Sequence, residues 1–365
     1  MPPQHALRRD RAAAVAANLG ADAVLITSGV NVRYLTGLAS SNAAVLVPAN
    51  GPAVLATDSR YAGTAGRECQ DVELVIERDV APSLVDSALA GGLRAIAFED
   101  RVMTVHTYRE LSAAGQDDLK LVGAGSAVDE LRMVKDEDEI AMLDRACSIT
   151  GQAFSAVLDR LCPGVTEREY AIALERTMID LGADGLAFDS IVASGPNGAI
   201  PHHTPTSRRF EPGDMVTVDC GAQCAGYHAD MTRTVAIGNP ADWQREIYQI
   251  VAEAQAAGVA AALPGAEVMD VDAVARDMIA AAGHAEHFGH GLGHGVGLEI
   301  HEAPIIGYGR TGTLQDRVPI TIEPGIYVPG MGGVRIEDTL VVRAGAGAAG
   351  WAQPLTTITR ELLVL

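Results

Sequence analysis

MVTVDCGAQCAGYHADMTRTV, residues 215–235, is the stretch whose reading decides the fold. Two β-like runs, Met215–Asp219 and Asp230–Val235, flank a connection containing glycine. That pattern predicts two neighbouring strands joined by a bend. Each run carries one aspartate where an alternating apolar strand should be bland. Side chains two apart share a strand face, so Asp230, Thr232 and Thr234 point together. A carboxylate at a buried strand position needs a partner. If the strands pair, Asp219 and Asp230 can converge on one point.

Three later segments are alike in kind. They are GHGLGHGVGLEIHE (Gly289–Glu302), TIEPGIY (Thr321–Tyr327) and GVRIEDTLV (Gly333–Val341). Each sets a His or Glu inside a Gly- or Val/Ile-rich run that reads as a buried strand. His290 and His294 stand four apart, which on a helix would suit zinc. The alternating glycines from Gly289 to Gly297 forbid a stable helix. The stretch therefore reads as one strand, with both histidines on one face and the run ending in His301-Glu302. Pro324 cannot donate to a ladder, so the strand before it ends or bulges near Glu323. Glu337 shares a face with Arg335, and Asp338 faces away. Asp219, Asp230, His294, Glu323 and Glu337 then form one oxygen-rich set. Four ionised carboxylates cannot sit together without cations. Two divalent ions would neutralise them.

In order and local context, these motifs resemble the pita-bread metallopeptidase family, which includes methionine aminopeptidase, aminopeptidase P and prolidase. An upstream domain makes the likeness closest to the two-domain Xaa-Pro peptidases. The resemblance implies an α/β creatinase-like N-terminal domain over 1–128. It implies an α+β pita-bread catalytic domain over 129–365, with a curved antiparallel sheet covered by helices. It makes Asp219, Asp230, His294, Glu323 and Glu337 the ligands of two metal ions, Asp230 and Glu337 bridging. It places His202, His290 and His301 in the substrate pocket. A mostly carboxylate set favours Mn²⁺, with Co²⁺ or Zn²⁺ as alternatives. The implied reaction is attack on an Xaa-Pro bond by a metal-bridging hydroxide. Glu323 is the proton carrier and His301 the oxyanion donor. Arg335 is either a salt-bridge partner or a bidentate clamp for the substrate carboxylate. His228 has no assigned role.

Composition bounds the remaining classes. The 365 residues are enough for two cored domains. With 48% hydrophobic and 20% charged residues, the chain is of ordinary globular type. A formal charge of −20 argues against a nucleic-acid partner, which needs a basic footprint, and disfavours anionic membranes. The five cysteines fit no zinc-finger spacing, and free thiols point to a cytoplasmic setting. Arg8, Arg9 and Arg11 precede Ala-rich sequence that reads as an amphipathic helix rather than a signal peptide.

The first 122 residues alternate predicted strand and helix, including strands Ala23–Thr27, Ala43–Val47 and Ala95–Phe98. Asn50-Gly51 marks a hairpin, and Asp58–Ala62 is expected to open a helix. YLTG (34–37) and TDSRY (57–61) carry the N-terminal resemblance. Thr166-x-x-Glu169 is a capping box. The expected activity is Xaa-Pro dipeptidase, with Phe188 standing where aminopeptidase P often has tyrosine. The alternatives are Xaa-Pro aminopeptidase on longer peptides, a metal-free creatinase-like hydrolase, or a non-catalytic pita-bread binding protein. A homodimer is also implied, with a small proline-containing peptide as substrate.

Overall fold

The computed structural model describes residues 4–115, 118–345 and 350–365. Contacts divide the chain into two units, Met1–Arg132 and Met133–Leu365. The first unit runs α1 (Gln4–Asn18), β1 (Ala23–Ile26), α2 (Gly29–Thr36), β2 (Ala43–Pro48), β3 (Val54–Thr57), α3 (Ala62–Glu68), β4 (Glu73–Ile76), α4 (Val80–Ala90), β5 (Ala95–Phe98), α5 (Val105–Gly115), β6 (Lys120–Gly123) and α6 (Ala127–Met133), the last helix crossing the boundary. Its six strands form one mixed sheet in the order β4-β3-β2-β1-β5-β6. Leu25, Leu46 and Ile96 from the sheet meet Leu84 and Leu111 from the helices in its core.

YLTG (34–37) closes α2, with Gly37 at φ 83° capping it. That left-handed position suits glycine. The Asp58–Ala62 segment enters α3 at Ala62, and Asp58 itself lies before the helix. Asp58 is buried, and accepts from Asn42, Arg60 and Arg78.

The second unit runs α7 (Glu137–Ala156), α8 (Glu167–Asp180), β7 (Gly185–Leu186), β8 (Ile191–Ser194), β9 (Met215–Cys220), β10 (Ala222–Cys224), β11 (Tyr227–His228), β12 (Met231–Ala236), α9 (Asp242–Ala261), α10 (Val268–Ala281), β13 (Gly293–Gly295), β14 (Glu302–Ile306), β15 (Pro319–Ile322), β16 (Gly325–Val328), β17 (Gly332–Arg335), β18 (Asp338–Arg343) and β19 (Trp351–Pro354). Among these strands every pairing is antiparallel. The capping box at α8 forms as its spacing predicts. Thr166 Oγ1 accepts from Glu169 N at 3.1 Å, and the Glu169 carboxylate accepts from Thr166 N at 2.9 Å. Val251 of α9 and Val271 and Ile279 of α10 bury against Ile320, Ile322 and Leu340 of the sheet.

The stretch that opened the sequence reading is a pair of antiparallel strands. β9 and β12 lie in register, with Thr232 opposite Asp219. The small β10–β11 hairpin fills the connection.

The glycine-rich run departs from its single-strand reading. Only Gly293–Gly295 is strand, the register shifts after His294, and Glu302 opens β14. The glycines answer to crowding rather than to strand length. A Cβ on Gly293 would sit 2.0 Å from the Thr321 carbonyl oxygen, and one on Gly295 would sit 2.2 Å from that of Ala303.

Candidate active site

One cavity of about 530 Å³ is lined by Asp219, Asp230, His294, Glu323, Glu337, His202, His290, His301 and Arg335. The structure thus brings together all nine residues that the sequence singled out. Each arrives by a different route. Asp219 lies near the end of β9, and Asp230 immediately precedes β12. His294 is the middle residue of β13. Glu323 follows the last residue of β15, where Pro324 interrupts the ladder. Arg335 ends β17, and Glu337 occupies the short link to β18. Asp338 turns away and takes the guanidinium of Arg233 at 2.7 Å.

Asp230, His294 and Glu337 each place a ligand-capable atom within 4.8 Å of the other two. His294 Nε2 lies 3.6 Å from Asp230 Oδ2 and 3.5 Å from Glu323 Oε1. Its Nδ1 is 3.0 Å from the Gly295 carbonyl, which can only accept, so Nδ1 carries the proton. Nε2 of the neutral ring then directs a lone pair at carboxylate oxygens. Burial holds His294 neutral, lowering it to about 4, and His301 and His290 add to that.

Carboxyl groups in this cavity are pushed the other way. Burial first, then the neighbouring acids, raises Asp230 and Glu337 well above the ordinary range. Burial raises Glu323 to about 8, against the pull of Arg335. Two buried oxygens, Asp219 Oδ1 and Glu337 Oε1, have no hydrogen-bond partner among the described residues. Orphaned acceptors, a lone pair aimed at acids and crowded carboxyls share one remedy, a divalent cation. The residues present therefore fit such an ion.

Arg335 is spent on the protein itself. Nη2 donates to Asp219 Oδ2 at 2.7 Å, Nε to Thr232 Oγ1 at 3.0 Å, and Nη1 to the Tyr327 hydroxyl at 2.8 Å and the Pro201 carbonyl at 3.3 Å. Its side chain is 3% exposed. Of the two readings open for it, this geometry favours the salt-bridge partner, because no two-pronged face is left for a substrate carboxylate.

Sequence reasoning did not assign Tyr327 or Thr232 to the site. Tyr327 joins Arg335 to His290, whose Nε2 is 2.9 Å from the hydroxyl. Thr232 donates to Glu337 Oε2 at 2.8 Å. Its place on the face of Asp230 was the available signal. His301 stacks edge-on to His294, with ring centroids 4.5 Å apart. His228 points elsewhere, its ring bonding Gln223 and the Gly297 carbonyl.

The comparisons with known proteins agree with one another. Residues 141–344 match metallopeptidase family M24, and residues 8–134 match the creatinase/prolidase N-terminal domain. The Xaa-Pro dipeptidase of Pyrococcus horikoshii is 35% identical over 94% of this chain and 94% of that protein. A solved Xaa-Pro dipeptidase from Bacillus anthracis superposes with a TM-score of 0.93 at 35% identity, covering 99% of this chain and 100% of that one. A solved X-Pro aminopeptidase from Thermotoga maritima superposes with a TM-score of 0.89 at 36% identity, covering 98% and 99%.

Proposed function

The chain belongs to metallopeptidase family M24, and from that premise we propose that it is an Xaa-Pro dipeptidase using two divalent metal ions, Mn²⁺ foremost. The observation that carries this reading is the cluster of Asp230, His294 and Glu337, with Asp219 and Glu323 beside it in one cavity. Asp219, Asp230, His294, Glu323 and Glu337 would hold the ions. When bound, these ions supply positive charge that acidifies a water and polarises the scissile carbonyl.

The chain's own residues do the rest. Arg335 fixes Asp219, and Thr232 fixes Glu337, so both carboxylates keep one orientation. As water attacks the carbonyl carbon, the C–O bond forms and Glu323, which the charge of the ions would keep ionised, takes the water's proton at its carboxylate. It then gives that proton to the prolyl nitrogen as the C–N bond breaks. His301, kept neutral chiefly by burial, donates an N–H to the carbonyl oxygen as that oxygen becomes anionic. His202 and His290 face the same cavity and line the leaving-group side. Burial lowers His290 to about 4, so near neutrality it is uncharged, with Nδ1 on the Gly291 carbonyl and Nε2 on the Tyr327 hydroxyl.

The dipeptide preference rests on the relatives named Xaa-Pro dipeptidase. The relative named X-Pro aminopeptidase keeps the second reading, cleavage of longer peptides, in play. We further infer a homodimer in a reducing, cytoplasmic setting, the latter supported by five cysteines that are all unpaired. No described helix is long and apolar enough to cross a membrane. The test is hydrolysis of an Xaa-Pro dipeptide beside an Xaa-Pro-Xaa tripeptide, each with Mn²⁺. Cleavage of the dipeptide alone supports the dipeptidase. Cleavage of the tripeptide moves the assignment to an aminopeptidase, and cleavage of neither overturns the Xaa-Pro class.

A further inference from the structure

Glu167, in the first turn of α8, has no exposed surface, and its two oxygens are divided between the two ends of one segment. Oε1 accepts from Ser194 N at 2.9 Å, Ser194 Oγ at 2.7 Å and Asn197 Nδ2 at 2.9 Å. Oε2 accepts from His203 Nε2 at 2.9 Å, Thr206 N at 3.0 Å and Thr206 Oγ1 at 2.7 Å. One carboxylate thus closes the segment 194–206 on itself. Burial works to raise this carboxyl. The hydrogen bonds from Thr206, Asn197, His203 and Ser194 outweigh it and hold the group at about 2.

The middle of that segment enters the cavity. Pro201 and His202 line it, and the Pro201 carbonyl takes a hydrogen bond from Arg335. His202 is exposed, and its imidazole makes no hydrogen bond to the described residues. Its direction therefore depends on the backbone on either side. That backbone is closely constrained. Gly195 adopts φ +52°, and a Cβ there would sit 2.5 Å from Asp214 Oδ1. A Cβ on Gly198 would sit 3.1 Å from Gly333 N, so the segment also lies hard against β17. The adjacent His203 is buried and held by Glu167, which fixes the backbone next to His202.

We propose that Glu167 is the positioning residue for His202, a two-ended clasp that holds the 194–206 segment so that this histidine faces the bound peptide. The His202 part rests on the peptidase reading above; the clasp itself does not. Neither close analogue can replace glutamate. A glutamine presents an amide N–H₂ to three donors at one end of the segment. An aspartate is one methylene too short to reach both ends.

The test combines kinetics with a substrate-free readout. Glu167→Gln should lower kcat/KM on an Xaa-Pro dipeptide by about tenfold or more, the worth of one hydrogen bond to a charged group, with bound Mn²⁺ unchanged. Glu167→Gln/His202→Ala should be no slower than His202→Ala alone, since residues acting as a unit are not additive. In protein labelled at histidine, the His202 ring resonances should shift or broaden in Glu167→Gln, and amide exchange across 196–205 should accelerate. Should Glu167→Gln fail to fold, His203→Ala removes one of the six bonds and takes the same readouts, with the same signs. Multiplying losses in the double variant, or an unmoved His202 ring, would overturn the proposal. If the wild type cleaves no Xaa-Pro peptide, the function above fails, and the His202 resonances and the 196–205 exchange still decide the clasp.

Discussion

Replacing Arg335 by lysine separates its two candidate roles. Four acceptors surround the guanidinium: Asp219 Oδ2, Thr232 Oγ1, the Tyr327 hydroxyl and the Pro201 carbonyl. They are distributed over Nε, Nη1 and Nη2, which a single ammonium cannot cover. Lysine keeps the charge and can keep one partner, so the site is not left with an uncompensated buried acid. A hydrogen bond to a charged group is worth about 1.5–3 kcal/mol. If the loss of the bond to Asp219 is expressed fully in the transition state, kcat/KM falls about 10- to 150-fold. Because Arg335 points at Asp219 and not into open cavity, the loss should be carried by kcat and should be equal for Xaa-Pro dipeptides and Xaa-Pro-Xaa tripeptides. The assay is steady-state release of the first residue from both substrates by wild type and Arg335→Lys. A rise in KM confined to the dipeptide would refute the reasoning and return Arg335 to the substrate carboxylate.

Asp230→Asn should lower bound metal and turnover together, read by elemental analysis beside activity; full metal content with full activity would remove Asp230 from the ligands. His301→Ala should lower kcat by about 10²-fold or more with little change in KM, as expected for a donor that matters when the carbonyl oxygen turns anionic. An unchanged kcat would take it out of the chemistry. Glu167 supplies a pH signature. Its folded value of about 2 lies below its ordinary 4.5, so its stabilisation is complete above that ordinary value and is lost as pH falls towards 2. The stability gap between wild type and Glu167→Gln, measured by urea unfolding, should narrow between those limits; a gap constant with pH would show that the charge is not what holds the segment.

Much of the site was legible because strand parity is a local rule. Asp219 and Asp230 stood out as acids in apolar runs, and Asp338 was set aside because it alternates with Glu337. The structure obeys that rule, sending Asp338 to Arg233 on the far side. The glycine-rich run misled for the opposite reason. Its period suggested one strand, but its glycines respond to carbonyls of Thr321 and Ala303, which approach from other parts of the chain. Arg335 could not be decided locally, since its partners lie on β9, β12, β16 and the segment before β9. Glu167 was not singled out in the sequence, where it is one of the two residues between Thr166 and Glu169. Nothing near it announces the hydrogen bonds it accepts from residues 27 to 39 positions onward.

The most direct measurement of the central claim is proline release from an Xaa-Pro dipeptide by protein stripped with chelator and then given Mn²⁺ in steps. The account predicts no proline from the stripped protein and recovery that completes near two equivalents of metal. Undiminished proline release by the stripped protein would contradict it.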